Sequence, residues 1–186
     1  MTRPLRAKPH LHRPHSAPPP GDVVLVPLTE ADFAPLTALA TQIWHQHYVN
    51  IVSREQLDYM LAGRYNPERL RLYLPAQESW LKLLKVGGEL VGYCSYALTA
   101  KPREMKLEQL YLRVDHKGAG LGGQMLRHVE AEARLRGCAT VMLTVNKQNL
   151  DSIAIYKKHG YVVREAATFE IGRGYVMDDY VMEKRL

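Results

Sequence analysis

The sequence predicts a single α/β domain in which helices flank one mixed, mostly antiparallel sheet. Three observations lead to this prediction. The 186 residues suffice for one substantial hydrophobic core and not for a second of similar size. In the middle of the chain, three consecutive segments alternate apolar and polar residues with a period of two. The pattern then changes to helix, strand and helix, and the chain ends in a strand pair.

Caps, periodicity and turns place the individual elements. Thr29 followed by Asp32 matches a helix N-terminal cap, and Ser53 and Asn66 hold similar positions before two shorter helical patterns. Gly87-Gly88 predicts a compact hairpin between two alternating segments. The predicted strands are residues 23–26, 80–86, 89–98, 107–114, 141–145, 162–171 and 175–183, and the helices after the hairpin are residues 122–136 and a helix capped by Asn149.

Residues 1–21 differ in composition from the rest of the chain. They contain four basic residues and no acidic one, and so supply most of the net charge of +6. They also contain six of the 11 prolines, a composition typical of disorder. Three histidines lie here without a carboxylate or thiol beside them, so no metal site is predicted. We expect a disordered basic tail over residues 1–21 and a folded domain over residues 22–186.

The composition also indicates where the protein acts. No run of 18 apolar residues is present, and no apolar stretch near the start resembles a signal peptide, so no membrane partner is expected. Cys94 and Cys138 fall in predicted core segments without the spacing of metal ligands. Two free thiols indicate a reducing, cytoplasmic location.

Residues 110–123 contain the most informative motif. A mostly apolar strand leads through a polar corner to glycines at 118, 120, 122 and 123 and then into a helical pattern. Glycines allow a ligand to approach the main chain closely, and the free N–H groups of a helix start attract anions. The motif therefore predicts a phosphate-binding corner, although a glycine turn without a ligand stays open here.

Two familiar phosphate motifs fit this corner poorly. Gly118, Gly120 and Gly123 satisfy the dinucleotide pattern G-x-G-x-x-G, but residues 137–150 around the next strand contain no acidic residue to bind a ribose. A Walker loop needs Gly-Lys-Ser/Thr at the end of the motif, and the chain has none there. Another phosphate ligand is therefore expected.

A second motif follows about thirty residues further on, where Asn149 is followed seven residues later by Tyr156 and then by Gly160-Tyr161. With the glycine corner at residues 117–122, KGAGLG, and the ending MDDYVMEKRL, this motif resembles the GNAT superfamily of N-acetyltransferases. The corner matches the family's Arg/Gln-x-x-Gly-x-Gly/Ala pattern, with Lys117 in place of Arg or Gln. The resemblance covers roughly residues 22–186 and implies the GNAT fold.

The resemblance implies an enzyme that transfers the acetyl group of acetyl-CoA to a primary amine by direct attack, without a metal. Main-chain N–H groups of the corner would bind the pyrophosphate, and the pantetheine arm would lie against the preceding strand. Tyr156 matches the family's general acid, which protonates the departing thiolate. The implied cofactor-binding residues are Leu112, Val114, Lys117, Gly118, Ala119, Gly120, Leu121, Gly122 and Asn149.

The base and the acceptor are less well defined. Glu108, on the strand that enters the corner, is the candidate base, and the alternatives are a solvent-facing Glu108 and a water chain. His45, His47 and Tyr48 lie where relatives gather acceptor contacts. The layout is similar to that of polyamine and small-amine N-acetyltransferases, but three acidic residues against four arginines over residues 45–74 do not favour spermidine.

Two other classes of function are considered beside the enzyme. A non-catalytic acyl-CoA-binding sensor would need the glycine corner but neither Tyr156 nor a base. A nucleic-acid-associated protein would act through the basic tail, and its affinity would fall steeply with salt. We expect an amine on a small molecule or a protein as the partner, rather than nucleic acid, and homodimerisation stays open.

Overall fold

A computed structural model describes residues 21–75 and 77–186, and these form a seven-stranded sheet with helices on both faces. Apart from Gly21, the tail that the sequence predicts to be disordered lies outside the described residues. The strands are β1 (Val23–Pro27), β2 (Ser79–Val86), β3 (Glu89–Leu98), β4 (Glu104–Leu112), β5 (Thr140–Asn146), β6 (Val162–Gly172) and β7 (Tyr175–Arg185). Their order in the sheet is β1-β2-β3-β4-β5-β7-β6.

The structure describes five α-helices, and three of them begin at caps that the sequence predicts. The helices are α1 (Phe33–His47), α2 (Arg54–Arg64), α3 (Pro67–Arg71), α4 (Leu121–Leu135) and α5 (Leu150–Lys158). The Ser53 hydroxyl accepts from the N–H of Gln56, and the Asn66 side chain accepts from that of Arg69. Asp32 accepts from the N–H and hydroxyl of Thr29, but this cap opens a short 3-10 turn that precedes α1. Among the described residues, no helix combines the length and apolar character needed to cross a membrane.

The sheet separates two hydrophobic clusters. On one face, called the α4 face, Met125, Leu126 and Val129 of α4 are almost fully buried against β3, β4 and β5. On the opposite face, called the α1 face, Leu36 and Trp44 pack with apolar side chains of α2, β2 and β3. Each buried Leu, Met or Val side chain contributes about 1.5–3 kcal/mol, so both clusters hold the sheet in place.

Strand pairing confirms the mixed, mostly antiparallel sheet. Only β4 and β5 run parallel among the described strand pairs, and their pairing covers residues 104–107 and 140–143. Beyond this point β4 continues to Leu112 and β5 to Asn146 without pairing to each other. The two strands therefore separate, and part of their main chain faces a gap.

A bulge in β4 sets which side chains face this gap. Ser95 pairs with Gln109 and Tyr96 with Leu107, so Glu108 is the extra residue. In a regular strand, residues 107 and 111 would face the same side of the sheet. Here Leu107, before the bulge, belongs to the α4 cluster, whereas Tyr111, after the bulge, packs on the α1 face. The bulge therefore reverses which residues of β4 face each side.

The prediction of a strand as far as Val114 was wrong. β4 ends at Leu112, and Val114 lies in a 3-10 turn that His116 closes by donating its N–H to the Arg113 carbonyl. Arg113 also pairs with Asp115, which holds the chain in this turn.

Candidate active site

A cleft of about 800 Å³ opens where β4 and β5 separate. Residues from these two strands line the cleft together with the start of α4 and most of α5. The end of α1, part of α2 and the β6–β7 hairpin close the α1 face of the cleft. Most residues that the sequence singles out therefore come together at one place.

The glycine corner forms the part of the cleft at the start of α4. Gly118 and Gly120 have φ angles of 87° and 78°, in the left-handed region that costs other residues about 1–2 kcal/mol. Gly120 is the N-cap of α4 and has no side chain to cover the free N–H groups of the first turn. The corner thus presents uncapped donors and the positive end of the helix dipole to an anion.

The two following glycines have different surroundings. A Cβ on Gly122 would lie 4.0 Å from its nearest neighbour, a methyl carbon of Leu110, so the fold has room for a side chain there. A Cβ on Gly123 would approach a ring carbon of His159 to 3.1 Å, so this glycine allows α4 to lie close to the end of α5. Gly122 lines the cleft with Lys117 and Leu121.

Asn149 joins the start of α5 to the end of α1. Its Oδ1 accepts from the N–H of Ser152 at 3.3 Å, and its Nδ2 lies 2.9 Å from Nε2 of His47. Because the N–H can only donate, Nδ2 faces the imidazole and Nε2 must accept, which places the His47 proton on Nδ1. Burial lowers the pKa of His47, and the charge of Lys117 lowers it further, so the neutral ring is favoured.

Tyr156 points from α5 into the cleft. Its ring lies 5.9 Å from that of Tyr161, and burial raises its pKa well above the usual value for a phenol. The phenol therefore keeps its proton at neutral pH and can donate it to a base that forms beside it.

Glu108 lies at the bulge of β4 and lines the cleft. Its side chain is exposed, and its Oε2 accepts from the Tyr73 hydroxyl at 3.3 Å. Since Tyr73 packs against the α1 cluster, this contact holds the Glu108 carboxylate on the α1 face.

Sequence reasoning missed Asp179, a second carboxylate of the cleft. Asp179 lies on β7 opposite Asn146, and only 6% of its surface is exposed. Its Oδ1 is buried and has no hydrogen-bond partner within the described part of the chain. Burial raises its pKa to about 6, with a further increase from Asp178 and opposing effects from Lys106 and Lys147. Strand alternation carried a signal for it, because Asp179 shares the face of the buried Val181.

Three residues from the sequence prediction lie apart from the cleft lining. Val114 is 52% exposed in its turn, and Ala119 packs against the α4 cluster. His45 instead pairs with Asp58 at 3.2 Å, whereas His47 and Tyr48 line the cleft.

A buried network supports the α1 face beneath the cleft. The indole N–H of Trp44 donates to the hydroxyl of Tyr93, which lies 2.7 Å from that of Tyr65. Tyr65 donates to Oε1 of Gln109, a residue that lines the cleft. Since Tyr65 has one proton and gives it to Gln109, Tyr93 must donate to Tyr65, and the hydrogen bonds run in one direction.

Known structures share the overall fold of this protein. The PaiA N-acetyltransferase of Thermoplasma acidophilum, solved with coenzyme A, superposes with a TM-score of 0.75 at 21% identity over 89% of this chain and 99% of that one. A GCN5-related N-acetyltransferase of Rhodopseudomonas palustris gives 0.73 at 20% identity over 91% and 97%. These similarities define the fold as that of the GNAT acetyltransferases.

Sequence comparison gives the same class. A family model described as acetyltransferase (GNAT) family matches residues 39–161, more than half of the chain, and the protein belongs to this family. The spermidine N(1)-acetyltransferase of Thermoplasma acidophilum is 25% identical over 162 residues, which cover 85% of this chain and 94% of that one. The protein is thus an N-acetyltransferase that uses acetyl-CoA as its cosubstrate, which confirms the enzyme and the cosubstrate that the sequence predicts.

Proposed function

We propose that the enzyme acetylates a primary amine by direct attack on acetyl-CoA, with Tyr156 as the general acid. The observation that carries this proposal is the gap between β4 and β5, which opens beside the uncapped start of α4 and contains Tyr156. A thioester held in this gap has donors at its phosphate end and a protonated phenol near its sulfur.

The cosubstrate would bind mainly to main chain. Its pyrophosphate would accept from the N–H groups of residues 117–122, with the exposed Lys117 adding a positive charge. The amides of its pantetheine arm would pair with the unpaired end of β4 at Leu112, as an added strand does. Contacts of Val114, Ala119 and Asn149 with the cosubstrate stay predictions from the sequence.

The chemistry requires three groups at the thioester. A main-chain N–H near Leu112 would stabilise the negative charge that develops on the carbonyl oxygen. Tyr156 would protonate the thiolate as the carbon–sulfur bond breaks, since its raised pKa keeps the proton available. A carboxylate would take the proton of the incoming ammonium, and Glu108 and Asp179 both line the cleft for this task.

Charge on the α1 face indicates the kind of acceptor. Glu108 and Asp179 share this region with Lys106 and Arg64, so acidic and basic groups balance. A polycation such as spermidine would meet two positive charges, whereas an amine next to a carboxyl or carbonyl group would find a partner for each end. We therefore propose an amino acid, a protein N-terminus or a similar monoamine as the acceptor.

Ligand-dependent melting combined with release of free CoA tests this function. Acetyl-CoA at about 100 times its dissociation constant adds roughly 2.7 kcal/mol of stability, and NADH should add none. A panel of amino acids, phenethylamine and spermidine then identifies the acceptor through CoA release. Stabilisation by NADH instead of acetyl-CoA, or absence of turnover with every amine, would contradict the proposal.

The variant Tyr156→Phe tests the general acid. Turnover should fall about 100-fold while stabilisation by acetyl-CoA persists, because the phenol acts on the leaving thiolate. Tyr161→Phe is the matched control, since its hydroxyl donates to Glu130 in the core, and it should lower the melting temperature rather than turnover. Full turnover in Tyr156→Phe would exclude the acid role.

A further inference from the structure

Asp179 is a buried carboxylate whose surroundings leave one oxygen unused. Its Oδ1 has no hydrogen-bond partner among the described residues, although a buried polar atom without one costs about 1–3 kcal/mol. The side chain also borders the cleft, so a rotation of its carboxylate would bring Oδ1 to a bound ligand. An unsatisfied buried acceptor beside a substrate cleft suits a donor that the substrate brings.

The position of Asp179 agrees with the direction from which an acceptor can arrive. Met177, two residues earlier on β7, accepts from the Gln56 amide of α2, and Met182 packs into the α4 cluster. Strand alternation therefore places Asp179 on the α1 face, where Glu108 also lies. The cosubstrate corner is on the α4 side, so an amine that reaches the thioester from the α1 face passes Asp179.

The groups around Asp179 keep it able to titrate. Lys106 of β4 acts on Asp179 electrostatically, and Glu108 of β4 and Arg64 of α2 line the same cleft. Burial raises the pKa of the Tyr111 phenol, and Asp179 raises it further. Asp178 precedes it on β7, Lys147 follows β5, and β6 places Ala167 opposite it. The cations lower the pKa of Asp179, but burial and Asp178 outweigh them. The ammonium of a substrate would add a cation in direct contact with Oδ1, which Lys106 and Lys147 do not provide.

We propose that Asp179 binds the ammonium of the acceptor and removes its proton, a role that rests on the proposed amine acetylation. The carboxylate takes one proton from R–NH3+, which leaves R–NH2 with a free electron pair. That pair forms the bond to the thioester carbon, and the carbon–sulfur bond breaks. Tyr156 protonates the sulfur and regains a proton from the nitrogen of the new amide, so R–NH–CO–CH3 and CoA–SH result. Asp179 releases its proton to water.

Glu108 fits this role less well than Asp179. It is exposed to water and already accepts from Tyr73, so an ammonium gains little by leaving water for it. Asp179 has lost most of its hydration, and one of its oxygens finds no partner in residues 21–75 and 77–186, so an ion pair there replaces interactions that burial removed. The exposed Glu108 serves as an internal comparison.

The test compares Asp179→Asn, Glu108→Gln and Asp178→Asn across pH with the acceptor found by CoA release. Wild-type kcat/KM should have an acidic limb near pH 6, where Asp179 ionises, and a plateau above it. Asp179→Asn should lose about 100-fold on the plateau, and its kcat/KM should instead rise with pH up to the pKa of the free amine. Asp178→Asn, an exposed neighbour, should keep the plateau activity and an acidic limb, and this limb should lie at lower pH because the charge of Asp178 raises the pKa of Asp179.

Two further measurements separate the outcomes. Stabilisation by acetyl-CoA should be equal in wild type and Asp179→Asn, which shows that the variant is folded. Calorimetric titration of phenethylammonium into the CoA-bound proteins should show weaker binding to Asp179→Asn, and this needs no turnover. An acidic limb that persists in Asp179→Asn and disappears in Glu108→Gln would overturn the proposal. Equal ammonium binding by wild type and Asp179→Asn would overturn it even if no amine were acetylated, a result that contradicts the proposed function separately.

Discussion

Nδ2 of Asn149 lies 2.9 Å from Nε2 of His47, and this contact joins residues 102 positions apart in the chain. The same Asn149 side chain caps α5 through its oxygen. One amide therefore fixes the start of the Tyr156 helix to the end of α1, on both sides of the cleft. The position of the phenol depends on a side chain that need not touch the substrate.

Substitution of Asn149 by Ala should lower stability and turnover together. Loss of the cap costs about 1 kcal/mol, and the unpaired His47 nitrogen adds to this cost. Thermal melting and kcat measured on the same preparation check the expectation. Gln148→Ala is the control, because this exposed residue lies beside the cap without either contact. An Asn149→Ala protein with wild-type kcat and melting temperature would contradict the role of the contact.

Asn149→Asp should make the same contact dependent on pH. The carboxylate still caps α5, but it cannot donate to Nε2, so the contact requires a proton on Nε2 and is strongest when the His47 ring is charged. Wild type behaves in the opposite way: burial lowers the folded pKa of His47, so its contribution is present above the unfolded value of 6.5 and is lost as pH falls through the lowered pKa. Melting curves between pH 5 and 8 should therefore diverge in opposite directions, and parallel curves would exclude this hydrogen bond.

Alanine substitutions at Gly120 and Gly122 should distinguish an effect on stability from an effect on cosubstrate binding. Gly120→Ala places a Cβ at a φ of 78° and should cost about 1–2 kcal/mol of stability. Gly122→Ala meets no close neighbour and should melt at or above the wild-type temperature, because alanine favours a helix. Its methyl group would stand between the N–H groups and the pyrophosphate, so KM for acetyl-CoA should rise at least about tenfold. Unchanged KM in Gly122→Ala would place the phosphate elsewhere.

Asp179→Asn should be more stable than wild type near neutral pH. The folded pKa of Asp179, about 6, is above the usual value of 3.8, so its contribution to stability is full below pH 3.8 and is lost as pH rises through 6. Above pH 7 the charged form costs about 1–2 kcal/mol after allowance for screening by solvent. Urea denaturation at pH 5 and pH 8 should show a larger gain for the variant at pH 8. A variant less stable than wild type at pH 8 would mean that Asp179 has partners in the native protein.

Local signals in the sequence predicted much of the fold and part of the site. The caps at Ser53, Asn66 and Asn149 and the glycine corner depend on residues within one or two turns, and the structure contains all of them. The three strands before the corner follow the same rule, because alternation is visible within each segment.

The features that sequence reasoning missed depend on contacts between distant segments. The bulge at Glu108 results from the register between β3 and β4, and the residues around it include no glycine or proline that would predict a bulge. In the sequence, Asp178 and Asp179 resemble two exposed acidic residues. Asp179 becomes buried only because β7 lies between β5 and β6 in the folded sheet. His45 resembled its neighbour His47, but a carboxylate on α2, Asp58, pairs with it. Tertiary context, rather than residue type, decides these cases.

The short pairing between β4 and β5 divides the sheet into two parts, β1 to β4 and β5 to β7. Four residue pairs join them, the shortest pairing in the described sheet, while β1 to β4 and β5 to β7 are each continuously bonded. A pantetheine arm that paired with the unpaired end of β4 would continue the strand pairing beyond residue 107. Acetyl-CoA would thus act as an eighth strand that leaves after each turnover. Departure of CoA after each turnover would remove this added pairing. The rigidity of the sheet would therefore depend on the concentration of acetyl-CoA.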